Sequence, residues 1–402
     1  MQKLSGFNSE RLKSARMYRG LTLTELANQI GISKQALSQF ENPLSNVRPE
    51  FQNSLKLAEV LNFPRDFFFT EEKIKVSADA TYFRSLLSAD KKDRAAQRIK
   101  LEYIAQIYVY LSQYLEFPKL NILEETPDKE YEYEYTTDQE LDILEQMAMD
   151  LRVYWNLGNG PIENLKFVLE SNGIIFSAVP SDSNKIDAFS QKIKITSGDL
   201  YIVAISNSNQ SIARARFDMA HEMAHIILHP WSEDLELITK EEFKARERQA
   251  NIFAGAFLLP REPFLKDVSH YPTSLDYYVS LKEKWNVSIS AMIYRAHQLE
   301  AISYNQYQYL MRTINKKGWK QIEPGDKKYL LNNSILQNAL DILIMQGNKQ
   351  PHQIMDELWD LGIVMYSEEL EHLLCLPPGT LKSTEKKPAS ILKIKDFISE
   401  PD

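Results

Sequence analysis

The chain has 402 residues, 44% hydrophobic and 25% charged, enough for two or three domains each with its own core. No apolar run approaches the ~18–20 residues that span a bilayer. The start, Met1-Gln2-Lys3-Leu4-Ser5, lacks the apolar core of a signal peptide, so a cytoplasmic protein with no membrane partner is expected. A single cysteine, Cys375, excludes an intramolecular disulfide and a cysteine-based zinc cluster. The net charge of −8 argues against a protein that coats nucleic acid, but residues 1–70 carry nine Lys/Arg against six acids, +3, leaving −11 for the rest. That asymmetry fits a small DNA-reading head on an acidic body.

In chain order, residues 7–69 read as a compact all-helical module. Ser9 is placed to cap a first helix through Tyr18, ended by Gly20. Thr22 caps a second, Leu23 to Ile30; Gly31 supplies the turn, and Ser33 caps a third, Lys34 to Glu41, stopped by Pro43. Two short helices joined by a glycine turn are the helix-turn-helix pattern. Leu55 to Leu61 makes a further amphipathic helix closed by Asn62-Phe63-Pro64. Residues 79–116, with Ile99, Tyr103, Ile107, Tyr110 and Leu111 on a helical period, predict one or two long helices within a connector spanning 79–123. The segment 124–138, with Tyr131-Glu132-Tyr133-Glu134-Tyr135, reads as an acidic linker.

From about 139 the pattern turns α+β. Helices are expected at Leu141–Tyr154 and Ile162–Leu169, strands at Ile174–Val179 and Leu200–Ile205, and a weaker strand near Ala188-Phe189-Ser190. A helix then carries His221-Glu222-Met223-Ala224-His225, and another runs from Lys240 to Leu258, ended by Pro260. A body at 139–275, a compact helical unit at 276–312 and a mostly helical C-terminal region at 318–402, its last residues expected to be mobile, complete the division.

The five-residue motif carries the chemistry. Histidines four apart lie one turn apart on one helix face, so both can bind one ion while the adjacent glutamate reaches the open coordination position. Four-coordinate catalytic zinc needs a third protein ligand. Glu233, Asp234, Glu236, Glu241, Glu242 and Glu247 are the downstream candidates, and Glu247 is the best of them. Asn251 follows one turn later on the same face, where it could hold the far nitrogen of a ligating histidine. Ala250 and Ala254 allow two helices to approach closely. His229 shares the histidine face; a ligand, a transition-state donor and a helix cap are all open to it, with a non-ligand role favoured.

Taken together, Arg216-Phe217, His221-Glu222, His225, Leu228-His229, Glu247, Ala250-Asn251, Phe253-Ala254 and Leu258-Leu259-Pro260 resemble the ImmA/IrrE metallopeptidase family. So do Trp155-Asn156-Leu157-Gly158, Asp187-Ala188-Phe189-Ser190 and Trp285-Asn286-Val287-Ser288; the resemblance covers roughly 140–310. Met223, Ala224 and Gln249 stand where the family often has Leu, Gly and Glu. The resemblance implies a zincin-like, gluzincin-type domain with a zinc ion on His221, His225 and Glu247, Glu222 as general base, and a second helix-turn-helix-like unit at 276–302. Tyr294, Arg295 and His229 are the candidate transition-state donors, and the strand Leu200–Ile205 is a candidate for pairing with an extended peptide.

Residues 7–69, through Leu23-Thr24-Glu25-Leu26-Ala27 to Phe40-Glu41-Asn42, resemble the phage-repressor (XRE-type) helix-turn-helix class. That class implies base reading by Lys34, Gln35, Ser38 and Gln39 in the major groove of a double-stranded operator. Arg11, Arg16, Arg19 and Arg48 are candidate phosphate contacts, and reading of two half-sites implies a homodimer. The alternative for the module is dimerisation or protein contact alone. The whole then reads as a multidomain protein, an all-α head joined to an α+β metallopeptidase body. The expectation is a regulator that cleaves a repressor or antitoxin-like protein, or else one that senses zinc or a ligand without proteolysis.

Overall fold

The computed structural model describes residues 6–83, 90–123, 137–179, 188–206, 211–229, 231, 238–327, 334–347 and 349–382. Most of the acidic linker, Glu233, Asp234, Glu236 and the chain from 383 onward lie outside the described residues.

The N-terminal unit comprises α1 (Ser9–Tyr18), α2 (Leu23–Ile30), α3 (Lys34–Phe40) and α4 (Phe51–Leu61). Asn8, rather than Ser9, caps α1, its side chain accepting from the amides of Glu10 and Arg11. Thr22 and Glu25 form a reciprocal capping box on α2, and Gly31 ends that helix at φ 74, where a Cβ would be strained. Ser33 caps α3 through the amide of Ala36. The helix α4 starts ahead of the expected Leu55 because its first turn lies off the core. Phe51 and Leu55 are exposed there and break the amphipathic signal.

The largest departure from expectation is at the start of the connector. The predicted helix over 79–116 is instead β1 (Ser77–Phe83) followed by α5 (Lys91–Leu111). The strand pairs antiparallel with β3 (Ala188–Ile195), from Ser77 opposite Lys194 to Phe83 opposite Phe189. Thr81-Tyr82-Phe83 are strand-forming types, but the pairing that holds them is distant in sequence and leaves no local periodicity.

Next, α6 (Thr137–Tyr154) and α7 (Leu165–Ser171) lead into β2 (Ile174–Val179), β3 and β4 (Gly198–Ser206). The sheet order is β1-β3-β4-β2, with β2 parallel to β4 and the other pairs antiparallel. The strand β4 is therefore an inner one, hydrogen-bonded to β3 and β2. The expectation that Leu200–Ile205 could take up a peptide strand is corrected accordingly. The remaining helices of the body are α8 (Ile212–Leu228), α9 (Lys240–Leu258), α10 (Arg261–Val268), α11 (Leu275–Trp285), α12 (Ile289–Gln298) and α13 (Tyr304–Lys316). The C-terminal region holds α14 (Ile335–Met345), α15 (Pro351–Asp360) and α16 (Ser367–Leu373).

Alternation along the strands divides the apolar side chains between two cores. Ile175, Phe189, Ile193, Leu200, Ile202 and Ala204 join the core built by α5, the N-terminal unit and the C-terminal helices. Ile174, Phe176, Ala188, Val203 and Ile205 join the core of α6 to α13. The C-terminal region thereby closes the first core over the head. The amide of Lys73 donates to the Leu361 carbonyl at 3.0 Å, and the Tyr18 hydroxyl donates to Glu369 at 2.7 Å. The Arg19 guanidinium grips both oxygens of Glu369 at 3.0 and 2.8 Å. Gly362, at φ 91, sits where a Cβ would stand 2.4 Å from the Glu71 carbonyl oxygen, so no other residue fits without moving backbone.

Candidate metal centre

The helix α8 is enclosed on nearly every side, which buries its histidines. Met219, Ala220, Met223, Ala224 and Ile226 are all buried beside them. Ser211 caps its start, and Thr239 caps α9, accepting from the amide of Glu242 at 3.1 Å. Ala220 and Ala224 on α8 and Ala250 and Ala254 on α9 are buried, and these small side chains let the helices come close enough for α9 to present Glu247 to the histidines.

His221, His225 and Glu247 converge, with one ligand atom of each within 4.8 Å of the others. The two Nε2 atoms are 3.0 Å apart, and the Glu247 carboxylate oxygens lie 3.2 Å from His225 Nε2 and 3.4 Å from His221 Nε2. Ligands tetrahedrally placed ~2.0–2.1 Å from one ion are about 3.3 Å apart, so this donor set fits a zinc ion in both spacing and chemistry.

The orientation of His221 is explained by its far nitrogen. The Asn251 amide donates to the Glu247 carbonyl at 2.7 Å, which turns Asn251 Oδ1 toward His221 Nδ1 at 3.2 Å. A carbonyl oxygen only accepts, so Nδ1 carries the proton and Nε2 offers its lone pair to the cluster. Glu222, fully buried, accepts a hydrogen bond from the Ser190 hydroxyl at 2.6 Å, which ties the helix to β3.

Ser190 was not assigned a role from sequence. It lies within a stretch noted only for family resemblance, and its facing toward α8 follows only once the register of β3 is known. Gln249 and Glu140 were likewise unassigned. Of the other acids proposed as ligands, Glu242 is turned to Arg246 at 2.5 Å, and neither it nor Glu241 joins the cluster.

Two of the three candidate transition-state donors are elsewhere engaged. His229 ends α8 and lies behind His225, its Nδ1 2.9 Å from His225 Nδ1, on the side of the ring away from Glu247. Burial, reinforced by His225, pushes its pKa well below the usual imidazole range. Arg295 is buried and paired through both terminal nitrogens with Glu145, its Nε donating to the Leu259 carbonyl at 3.1 Å. Both assignments as oxyanion donors are therefore corrected. Tyr294 is 41% exposed; burial raises its phenol, Tyr307 adds to the rise, and Arg248, next to Glu247, opposes it.

On the head, Lys34, Gln35, Ser38 and Gln39 are all exposed on α3, and Arg48 is exposed beside them. The other arginines are spent internally. Arg11 is 2% exposed, donating to the Phe67 carbonyl at 3.2 Å, to Glu72 at 2.5 Å and to the Gly362 carbonyl. Arg16 is clamped by Glu41 at 2.6 and 2.9 Å, and Arg19 by Glu369. Their assignment to phosphates is corrected: each guanidinium already has carboxylate and carbonyl partners within the fold.

Two family models match the chain. The IrrE N-terminal-like domain of the Peptidase_M78 family covers residues 171–297, and a helix-turn-helix domain covers residues 9–74. No curated protein matches it. The chain thus carries an N-terminal helix-turn-helix domain and an IrrE N-terminal-like, peptidase-family domain. The second of these includes β2 to β4, both histidines, Glu222 and Glu247.

Proposed function

We propose that this chain is a DNA-binding transcription regulator whose second domain is a zinc-dependent endopeptidase of zincin-like, gluzincin-type fold. Its substrate would be a specific repressor or antitoxin-like protein. The reading rests on the convergence of His221, His225 and Glu247 at tetrahedral ligand spacing, with Glu222 buried beside them.

A bound zinc ion supplies Lewis acidity, polarising a peptide carbonyl and lowering the pKa of water from ~16 toward about 7. The chain's residues do the rest. His221, His225 and Glu247 hold the ion. Glu222, steadied by Ser190, takes the proton of the attacking water and returns it to the leaving amine. Tyr294 is the remaining candidate donor to the developing oxyanion. Because β3 is paired on both sides, by β1 and β4, an extended substrate cannot add to it while β1 is in place. On the head, Lys34, Gln35, Ser38 and Gln39 read base edges of an operator, and two half-sites call for a homodimer.

A second reading, a regulator whose metal pocket senses zinc or a ligand without turnover, draws on the shared core. The head packs with α5 onto the sheet face opposite Ser190, so it is not loosely tethered. The test is incubation of zinc-loaded protein with whatever small repressor or antitoxin-like proteins its neighbouring genes encode. Wild type is expected to cleave one of them, while Glu222→Gln binds zinc equally and does not. Cleavage retained by Glu222→Gln overturns the mechanism. Operator affinity that shifts with zinc in the absence of any cleavage favours the second reading.

A further inference from the structure

A chain of side chains runs away from the metal centre behind His225. His225 Nδ1 is 2.9 Å from His229 Nδ1, His229 Nε2 is 3.1 Å from Gln249 Oε1, and Gln249 Nε2 is 3.0 Å from Glu140 Oε1. The other Glu140 oxygen lies 2.7 Å from the Arg248 guanidinium. Glu140 and His229 are buried, on α6 and at the end of α8, and Gln249 on α9 bridges them.

The direction of every link follows from one fact: a carboxylate only accepts. Glu140 therefore accepts a hydrogen bond from the Gln249 amide nitrogen, which turns the amide oxygen to His229. That oxygen only accepts, so His229 carries its proton on Nε2 and presents a lone pair at Nδ1. His225 must then donate from Nδ1, and its Nε2 is left with a lone pair directed at His221 and Glu247. With the opposite polarity, His225 would carry its proton on Nε2 and could not ligate.

We propose that His229, Gln249 and Glu140 form a polarised relay that fixes His225 in the ligating tautomer, with Glu140 as the anchor that sets its direction. The proposal rests on the metal reading above and assigns three positioning residues to it. It also accounts for the burial of His229 behind the site: the ring transmits polarity and touches no substrate. Asn251 does the same for His221 in a single step, whereas His225 needs three residues from three helices.

The test uses the full chain and zinc alone. Zinc affinity is read by competition with a chromophoric chelator, and the tautomers of His225 and His229 from ring 15N shifts of the zinc-loaded protein. Folding is checked by thermal unfolding. Gln249→Leu is expected to weaken zinc binding about 10–100-fold, the usual cost of removing a partner that orients a ligating histidine. Glu140→Ala, which touches no ligand, is expected to lose about 10-fold. Gln249→Glu combined with Glu140→Gln keeps an acceptor facing His229 and a donor facing that new carboxylate, and should retain wild-type affinity. Wild-type spectra should show His225 protonated at Nδ1 and His229 at Nε2, and Gln249→Leu should redistribute the His229 tautomers. Unchanged zinc affinity in both Gln249→Leu and Glu140→Ala, or His229 protonated at Nδ1 in the wild type, overturns the relay while leaving the metal site standing. Wild-type protein that takes up no zinc overturns the metal reading and the relay with it.

Discussion

At the metal centre His221, Glu222 and His225 are 0%, 0% and 1% exposed, and each is held by a second side chain: Asn251, Ser190 and His229 respectively. On α3, by contrast, Lys34, Gln35, Ser38 and Gln39 all face solvent. The two regions treat their polar groups oppositely. Groups that must act on a small, fixed centre are oriented before anything binds. The proposed reading groups stay hydrated, as side chains must that are to exchange water for base edges when a duplex arrives. Arg11 and Arg19 belong to neither class, because they hold the head to the C-terminal region through Gly362 and Glu369.

That third role separates stability from DNA affinity, and the largest expected effect lies there. Gly362→Ala forces a Cβ against the Glu71 carbonyl at a left-handed backbone position. A loss of about 3 kcal/mol is expected in denaturant unfolding. Glu369→Ala, which strips partners from Arg19 and Tyr18, should cost about 2 kcal/mol and be nearly independent of salt. If either variant unfolds like the wild type while losing operator binding, the C-terminal helices belong to the reading surface after all.

A pH effect of intermediate size is expected between the two cores. Glu170, at the end of α7, accepts from the Ile335 amide at the start of α14 at 3.0 Å. Burial raises its carboxyl from 4.5 to about 7, against the opposing pull of that amide and of Lys166. The folded chain therefore keeps a proton that the unfolded chain has released across pH 4.5 to about 7. The stabilising contribution is full below 4.5 and is lost as pH rises through about 7. Glu170→Gln should raise the Tm relative to wild type at pH 8 and leave it close to wild type at pH 5. Parallel Tm–pH curves for the two proteins would contradict this.

The smallest effects are expected on the reading face. Gln35→Ala should cost about 1 kcal/mol of operator affinity and relax preference at one base pair. Arg48→Ala should weaken all sequences alike and reduce the salt slope by about 1. Titration of labelled duplexes at several salt concentrations separates the two. A base preference that survives Gln35→Ala would move the reading contacts elsewhere on α3.

The convergence of the candidate ligands was legible in sequence because they follow helical arithmetic. His221 and His225 are one turn apart, Glu247 and Asn251 are one turn apart, and alanines mark where the helices meet. What stayed hidden depends on partners brought in by the fold. The strand β1 exists through its pairing with β3, Ser190 faces Glu222 through the register of that strand, and Arg11 is buried against a carbonyl at Gly362. An arginine near a recognition helix looks the same in sequence whether its partner is a phosphate or a glutamate from the far end of the chain. His229 misled for a related reason. A shared helix face places it near His225 without saying which nitrogen it meets, and it meets the one turned away from the centre.

The central claim is that His221, His225 and Glu247 hold a zinc ion that Glu222 serves without ligating. Metal analysis of the purified protein with His221→Ala, Glu247→Ala and Glu222→Gln beside it tests this most directly. The account predicts one zinc per chain in the wild type and in Glu222→Gln, and little or none in the two ligand variants. Equal zinc in all four proteins would contradict it.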